Sequence, residues 1–424
     1  MSSEQFDVAI VGGGSGGVAA AIAAARCGAR TVLLEKAGCL GGAATLRNVL
    51  TYCGLYTLGD TPQQAVAGVA DEVLQGLRRL GAVTSPQRHR GVFVVFDPEA
   101  VKVVLDSLCA EAGVTVLLHA FVCGATRSDG RIVDVSYQDH GGRHTIRARA
   151  FVDASGEGDL AAFAGASTRY GNDGAVNLAT LSTRFGGIPK DVVVLPDQLT
   201  AAVQAARAAG KGPFSKERSV TTRLPLSGDI VCYLASEDYD PRDALSHSRA
   251  EQRGRAQAWA YLEVIRGLPG CENAYLASTG PEFGTRETRH IDAIYQLTWE
   301  DVVRGHPMPD SIALGAWGVE WHDRKTMESS FVYPPGKSAY EIPLRCLASK
   351  DTANLFAAGR VADADRKAGA SLRVMGTAFA TGQAAGIAAA ILADQGKTSP
   401  DEARRLLRKQ GALVDVSDLA QVRR

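Results

Sequence analysis

The sequence predicts an α/β fold: a parallel-sheet domain assembled from both ends of the chain, with an α+β domain inserted between them. Three observations predict it. At residues 6–26 an apolar strand runs through a glycine-rich turn into an alanine-rich helix. At 151–166 a second strand enters an Ala-Ser-Gly turn. Near the C-terminus a strand ending in Ala358-Gly359 leads towards a helix made mostly of Ala, Gly and Thr. The 424 residues suffice for about two or three domains.

The first element carries the clearest chemistry. The strand at 6–11 is followed by Gly12-x-Gly14-x-x-Gly17, a helix, and a second strand that ends at Glu35, 23 positions after Gly12. That is the full unit of a Rossmann-like dinucleotide site. Gly12 makes the tight turn, Gly14 lets the backbone approach a pyrophosphate, and Gly17 lets helix and strand pack closely. The helix start at Ser15 and Gly16 offers unpaired N–H groups to phosphate. Glu35 is the expected acceptor for ribose hydroxyls.

Lys36 opens the next loop, which holds Gly41, Gly42 and Thr45. Asp97-Pro98 starts a helix with apolar residues at 101, 104, 105 and 108, the spacing of one buried face. A strand over 114–122 follows, and its last residue, Val122, is placed beside the cofactor. Segments 131–138 and 144–152 flank a Gly-Gly turn and predict a β-rich insertion.

Glu35 followed by Gly41-Gly42 and Thr45 resembles FAD proteins with the glutathione-reductase-type fold. The Ala-Ser-Gly turn, with Ser155 and Gly156, resembles that fold's second signature. Taken with 285–302 and 340–386, the chain is similar to the broad family of FAD-dependent oxidoreductases distantly related to the fumarate reductase flavoprotein. The resemblance covers the N-terminal ~165 and last ~140 residues. It implies FAD as cofactor, held also by Gly359, Arg360, Gly376 and Thr377. Relatives carry Glu where this chain has Arg360, so the ribityl partner is expected to be Asp363 or Asp365, without a choice between them. Arg373, just before the late helix, would then favour negative charge on the reduced ring, with a salt bridge to Asp363 or Asp365 as its structural alternative. The implied division is 1–166 with 345–400 for the FAD-binding domain, 167–344 for the substrate domain, and 401–424 for a C-terminal helical tail.

The segment 167–344 chooses the substrate. Strands are expected near 175–188, 219–226 and 229–236, with helices near 197–210 and 243–266. Arg286 and His290 fall in one short stretch and His322 in another. Histidine serves as a base near neutral pH, and arginine clamps carboxylates. His322, His290, Arg286 and Arg373 are therefore the catalytic candidates, each with a purely structural role as the alternative.

Bulk properties narrow the classes. Cationic and acidic residues balance at 46 each, which gives no electrostatic reason to expect nucleic acid or an anionic membrane as partner. No continuous apolar run reaches the ~18 residues of a membrane span. Eight scattered cysteines without a CxxC pair predict free thiols in a reducing compartment and no metal site. The expectation is a cytoplasmic flavoprotein dehydrogenase or oxidase that moves hydride from a C–H bond of a small polar metabolite to flavin; an anionic one suits the arginines. Alternatives are reduction of a conjugated C=C, a flavin monooxygenase, or a tRNA-modification-type flavoprotein. The electron acceptor (oxygen, quinone or protein) and assembly into a homo-oligomer are left open.

Overall fold

The computed structural model describes residues 4–305 and 307–420; residues 421–424 of the expected tail lie outside this range. Strand β1 (Glu4–Val11) passes through the glycine turn into α1 (Ser15–Arg26), and β2 (Thr31–Leu34) follows. β3 (Thr51–Cys53) joins a small antiparallel sheet with Val92–Val95 and Gln87–Arg88, an element the sequence pattern did not reveal. Next come α2 (Pro98–Glu111), β4 (Thr115–Leu117), β5 (Phe121–Ser128), β6 (Arg131–Asp139) and the long β7 (Gly142–Asp153).

The strand expected over 114–122 is two strands. His119, at φ 56°, turns the chain between them, and the N–H groups of His119 and Ala120 donate to Ala37 O and Glu35 O. Val122 therefore lies in β5, in an antiparallel pairing with β6, and its side chain is buried in the core.

The inserted segment contains β8 (Ala179–Gly186), α3 (Pro196–Ala208), β9 (Ile230–Glu237) and α4 (Ala244–Arg266). Its antiparallel sheet runs Thr221–Arg223, β9, β8, Tyr275–Thr279, and both helices pack on it. Strand Thr168–Tyr170 pairs with Arg289–Ile291, and Ile291 packs in one core cluster with Phe151 of β7. The chain then forms the hairpin of β10 (Val319–His322) with Ser329–Val332, followed by β11 (Leu355–Ala357), α5 (Met375–Gln395) and α6 (Pro400–Lys409).

The central sheet places β4, β2, β1 and β7 side by side in parallel. β7 does two jobs. Its first half pairs antiparallel with β6, and its second half pairs parallel with β11, Phe151 opposite Leu355. Both faces of β1 are covered: Val8 and Ile10 enter one core cluster, Phe6, Ala9 and Val11 another. This double burial explains its unbroken apolar run.

The small-residue helix α5 presses on protein. A Cβ on Gly382 would lie 2.0 Å from Gly16 O, and one on Gly386 2.1 Å from Ala20 O, so α5 and α1 touch backbone to backbone. A Cβ on Gly376 would lie 2.4 Å from Cys53 O, which seats the first turn of α5 on β3. Among the described residues α5 is long and apolar enough to cross a membrane by length and composition, with mean hydropathy 1.3, contrary to the absence expected from the sequence. Alanine supplies much of that hydropathy without a continuous apolar run, and 94% of the window is buried within the protein, as for a core helix.

Gly382→Ala is expected to destabilise the fold by about 1–3 kcal/mol, because a single methyl group must push α5 off α1. The midpoint of denaturant unfolding measures it, and an unchanged midpoint would contradict the packing described.

Candidate active site

The glycine turn is shaped by two different demands. A Cβ on Gly12, at φ +100°, would lie 2.4 Å from Ala154 O, and one on Gly17 would lie 1.7 Å from Gly12 O. Those two glycines serve the protein's own packing. A Cβ on Gly14 would meet only Gly42 Cα, at 3.8 Å, so Gly14 faces open space across from the second glycine loop. That loop is stitched to the first: Gly41 N–H donates to Gly13 O at 2.8 Å, and a Cβ on Gly42 would crowd Gly14 Cα at 2.8 Å. Ser15 and Gly16 begin α1, whose N-terminus has no side-chain cap. An open glycine beside an uncapped helix start fits a pyrophosphate, and these residues therefore fit FAD.

Glu35 is buried at the end of β2 and already shapes the loop. Its carboxylate accepts from Gly13 N–H at 2.6 Å and from Ala37 N–H at 2.8 Å. Several other expected cofactor contacts have protein partners instead. Thr45 donates to Leu40 O, and Ser155 donates to Asp153. Lys36 sits half-exposed, 3.7 Å from Glu282. A Cβ on Gly156 would crowd the Arg360 guanidinium at 2.9 Å, while Gly359, at φ +64°, donates its N–H to Thr381. Among the described residues Thr377 Oγ1 has no hydrogen-bond partner, although it is buried.

The two aspartates proposed for the ribityl chain are both occupied. Asp363 accepts from Ala293 N–H at 2.8 Å and pairs with Arg169 at 2.7 Å. Asp365 caps the helix Arg366–Leu372 and accepts from Trp299 N–H. Each ties its loop to a segment remote in sequence, a role that its sequence neighbourhood does not announce. Arg360 also belongs to a closed group. Glu157 accepts from Arg360 at 2.5 Å and from Arg47 at 3.0 Å. Burial would raise the Glu157 carboxyl, but the two guanidinium groups overcome it and hold it well below the carboxylate range.

A cavity of about 360 Å³ opens between the glycine-loop end, β3, the antiparallel sheet and β10. Val374 and Met375, at the start of α5, line it, as do Arg286, Glu320, His322 and Arg373. The structure brings three of the four catalytic candidates together there. His290 is elsewhere: its ring nitrogens lie 3.0 Å from Ala362 O and 3.1 Å from Glu287, which ties its strand to the loop after β11.

Within the cavity Glu320 organises the charges. Its carboxylate accepts from Trp317 Nε1–H at 3.2 Å, stands 3.8 Å from Arg373, and is 3.6 Å from His322 Nε2. Arg373 also donates to Glu320 O at 2.9 Å, so its acidic partner is Glu320 rather than Asp363 or Asp365. Burial, followed by the Arg286 charge, pushes His322 well below its ordinary value, leaving a neutral imidazole. Its Nε2 faces the Glu320 carboxylate at 3.6 Å, and its Nδ1 has no hydrogen-bond partner among the described residues. Arg286 donates to Leu178 O and Thr180, and burial, then Arg373, pushes it down to about 9.

Four contributors escaped the sequence reading. Glu320 is two residues before His322 on one strand, so alternation puts both on one face, a signal that was available. Glu157 directly follows Gly156 in the recognised turn. Arg47 and Lys216 had no local signal: each lies in a loop and gains its role from long-range packing.

A family model described as FAD dependent oxidoreductase matches residues 7–410. Digeranylgeranylglycerophospholipid reductase 2 of Methanopyrus kandleri is 30% identical over 156 residues, 36% of this chain and 38% of the relative. Dihydrolipoyl dehydrogenase of Chlorobaculum tepidum is 31% identical over 126 residues, 27% of this chain and 26% of the relative. These matches span well under half the length of either curated relative. The solved structure of BexE superposes with a TM-score of 0.51 at 16% identity, covering 96% of this chain and 66% of BexE, and shows the fold alone.

Glu157→Gln is expected to cost about 3–5 kcal/mol at neutral pH, because Arg47 and Arg360 lose their shared buried partner. Glu157's folded value lies below its ordinary 4.5, so its contribution is present above that pH and is lost as pH falls through the acid range. Unfolding of wild type and variant, compared from neutral to acid pH, should show the gap closing only on the acid side.

Proposed function

We propose, on the premise that this chain belongs to the family of FAD-dependent oxidoreductases, that it oxidises a C–H bond of a small polar molecule bound in the cavity beside His322. The observation that carries this reading is the setting of His322: a buried imidazole held neutral, with Nε2 3.6 Å from a carboxylate and Nδ1 without a partner among the described residues. Bound FAD supplies the two-electron acceptor for such a reaction. His322 takes the accompanying proton at Nε2, and Glu320 stabilises the resulting imidazolium. Trp317 Nε1–H holds that carboxylate in place. Arg286 and Arg373 orient an anionic group of the substrate. The walls of Phe93, Val220 and Trp317 exclude water from the reacting atoms.

The finer resemblance, to the glutathione-reductase-type fold and to fumarate reductase flavoproteins, belongs to this proposal. So do a soluble, cytoplasmic setting and the independence from nucleic acid. A second reading, reduction of a C=C bond, is supported by the partial likeness to the Methanopyrus kandleri reductase. The same cavity would then deliver a proton instead of taking one.

Anaerobic mixing with a panel of small metabolites tests the direction. Loss of the flavin absorbance band with a C–H donor supports oxidation. A panel that never bleaches the band, while alkenes restore the band of dithionite-treated enzyme, would overturn it in favour of the second reading. With a substrate in hand, His322→Gln should slow flavin bleaching by roughly 10²–10⁴-fold at unchanged FAD content. Arg373→Ala should slow it by roughly 10²–10³-fold, the scale of one preorganised charge. If Arg373→Ala instead sheds FAD or unfolds while its residual flavin reacts normally, Arg373 is structural.

A further inference from the structure

The cavity holds more positive charge than its own carboxylates answer. Glu320 is shared by His322, Arg373 and Arg286, and burial that would raise it is overcome by those three. Asp197 is the other carboxylate on the lining. Against them stands Lys216, buried to all but 8% on the same wall, with no hydrogen bond or ion pair at its ammonium group among the described residues. Most of the side chain is buried, and its ammonium end opens onto the cavity, where an anion can reach it.

Lys216 is also firmly placed. Its N–H donates to Tyr261 Oη at 3.0 Å, and Tyr261 Oη–H donates to Lys216 O at 2.6 Å. Tyr261 is fully buried on α4, so the backbone of Lys216 is pinned to the core of the antiparallel sheet layer while its side chain faces the cavity. The surrounding wall is apolar and aromatic, with Phe93, Val220, Tyr233 and Trp317.

We propose that Lys216 anchors a carboxylate of the substrate, and that the cavity takes an organic carboxylate with a flat apolar body. This rests on the reading of the cavity as the substrate site. Arg286 provides the second positive group. A bound carboxylate would offset two of the cations that hold His322 neutral, namely Arg286 and Lys216, so that occupancy of the anchor makes the imidazole a stronger base.

Binding then carries a proton signature. Burial, followed by Arg286, brings Lys216 down to about 7, while Glu320 opposes that shift. The groups facing it are Arg286 from the segment before Arg289–Ile291, Glu320 and His322 from β10, and Arg373 ahead of α5. Asp197 of α3, His89 and Arg90 of the turn between Gln87–Arg88 and Val92–Val95, Arg218 on its own loop, and Arg47 and Arg360, which are paired with Glu157, complete the charged lining. Cys53, pushed up to about 12 by burial, stays protonated. A carboxylate that settles on Lys216 favours the ammonium form, so a proton is taken from solvent as it binds.

The test uses the FAD-loaded protein and two probes of one shape, benzoate and the neutral benzamide. Calorimetric titration in two buffers of different ionisation enthalpy, at about pH 8, should give benzoate binding with uptake of close to one proton per site. Benzamide should bind at least roughly tenfold more weakly and without uptake. Lys216→Met should lose roughly 10- to 100-fold in benzoate affinity, leave benzamide unchanged, and abolish the uptake. Lys216→Arg keeps the charge and should retain benzoate affinity within about threefold, again without uptake. That pair separates the anchor from a structural role, since a damaged fold would weaken both probes alike. Equal binding of the two probes, absent benzoate binding, or uptake that persists in Lys216→Met would overturn the proposal. Turnover is not involved: His322→Gln should keep the benzoate uptake even where it loses flavin bleaching, so failure here is distinct from failure of the oxidation reading.

Discussion

The arrangement depends on two helices that touch without side chains between them. Gly382 and Gly386 of α5 meet the carbonyl oxygens of Gly16 and Ala20 of α1 at distances that leave no room for a methyl group. Because interiors are close-packed, this contact fixes where each helix starts. The start of α1 is the uncapped N-terminus beside Gly14, where phosphate fits. The start of α5 places Arg373, Val374 and Met375 on the cavity wall. One steric constraint thereby holds the cofactor groove and the reaction cavity in a single register, although some 360 residues separate them in the chain.

Two carboxylates divide the electrostatic work. Glu157 holds Arg47 and Arg360, which also reach the cavity lining, in one tight buried ion group. Glu320 is spread over three basic partners at distances of 3.6 Å and more from its nearest imidazole and guanidinium nitrogens. The first arrangement locks the glycine loop to the turn after β7. The second leaves unmet positive charge facing open space, and that difference separates a structural ion group from a binding one.

The parallel-sheet domain was legible because its signals are local. A glycine spacing, an acidic strand end and a stretch of Ala and Gly each report a backbone requirement within one or two turns. The strand over 114–122 was misread because one residue, His119, turns a stretch that is otherwise apolar apart from Thr115. Asp363 and Asp365 looked like ligands because they follow an Ala-Gly strand end, but their partners, Arg169, Ala293 and Trp299, come from remote segments. His290 and His322 are indistinguishable as sequence. Glu287, three residues before one, and Glu320, two before the other, give one a filled hydrogen-bond shell and the other a polarised opening. Lys216 could not be found at all without the fold, since nothing in a polar loop says which lysine turns inward.

The shared strand β7 carries a consequence for the order of assembly. Its second half, Phe151–Asp153, gains its neighbour on one side only when Leu355–Ala357 arrives, some two hundred residues later in synthesis. Until then the growing chain displays a bare, apolar strand margin, the kind of surface to which other strands add. Loop closure over that separation is slow relative to local pairing. The hairpin partner β6, which covers β7 up to Arg147 from only a few residues away, forms early and leaves the Ala148–Asp153 stretch of that margin waiting. The β-rich insertion thus acts as a built-in guard for the nascent chain, shielding the sheet until the far end of the polypeptide emerges to complete it.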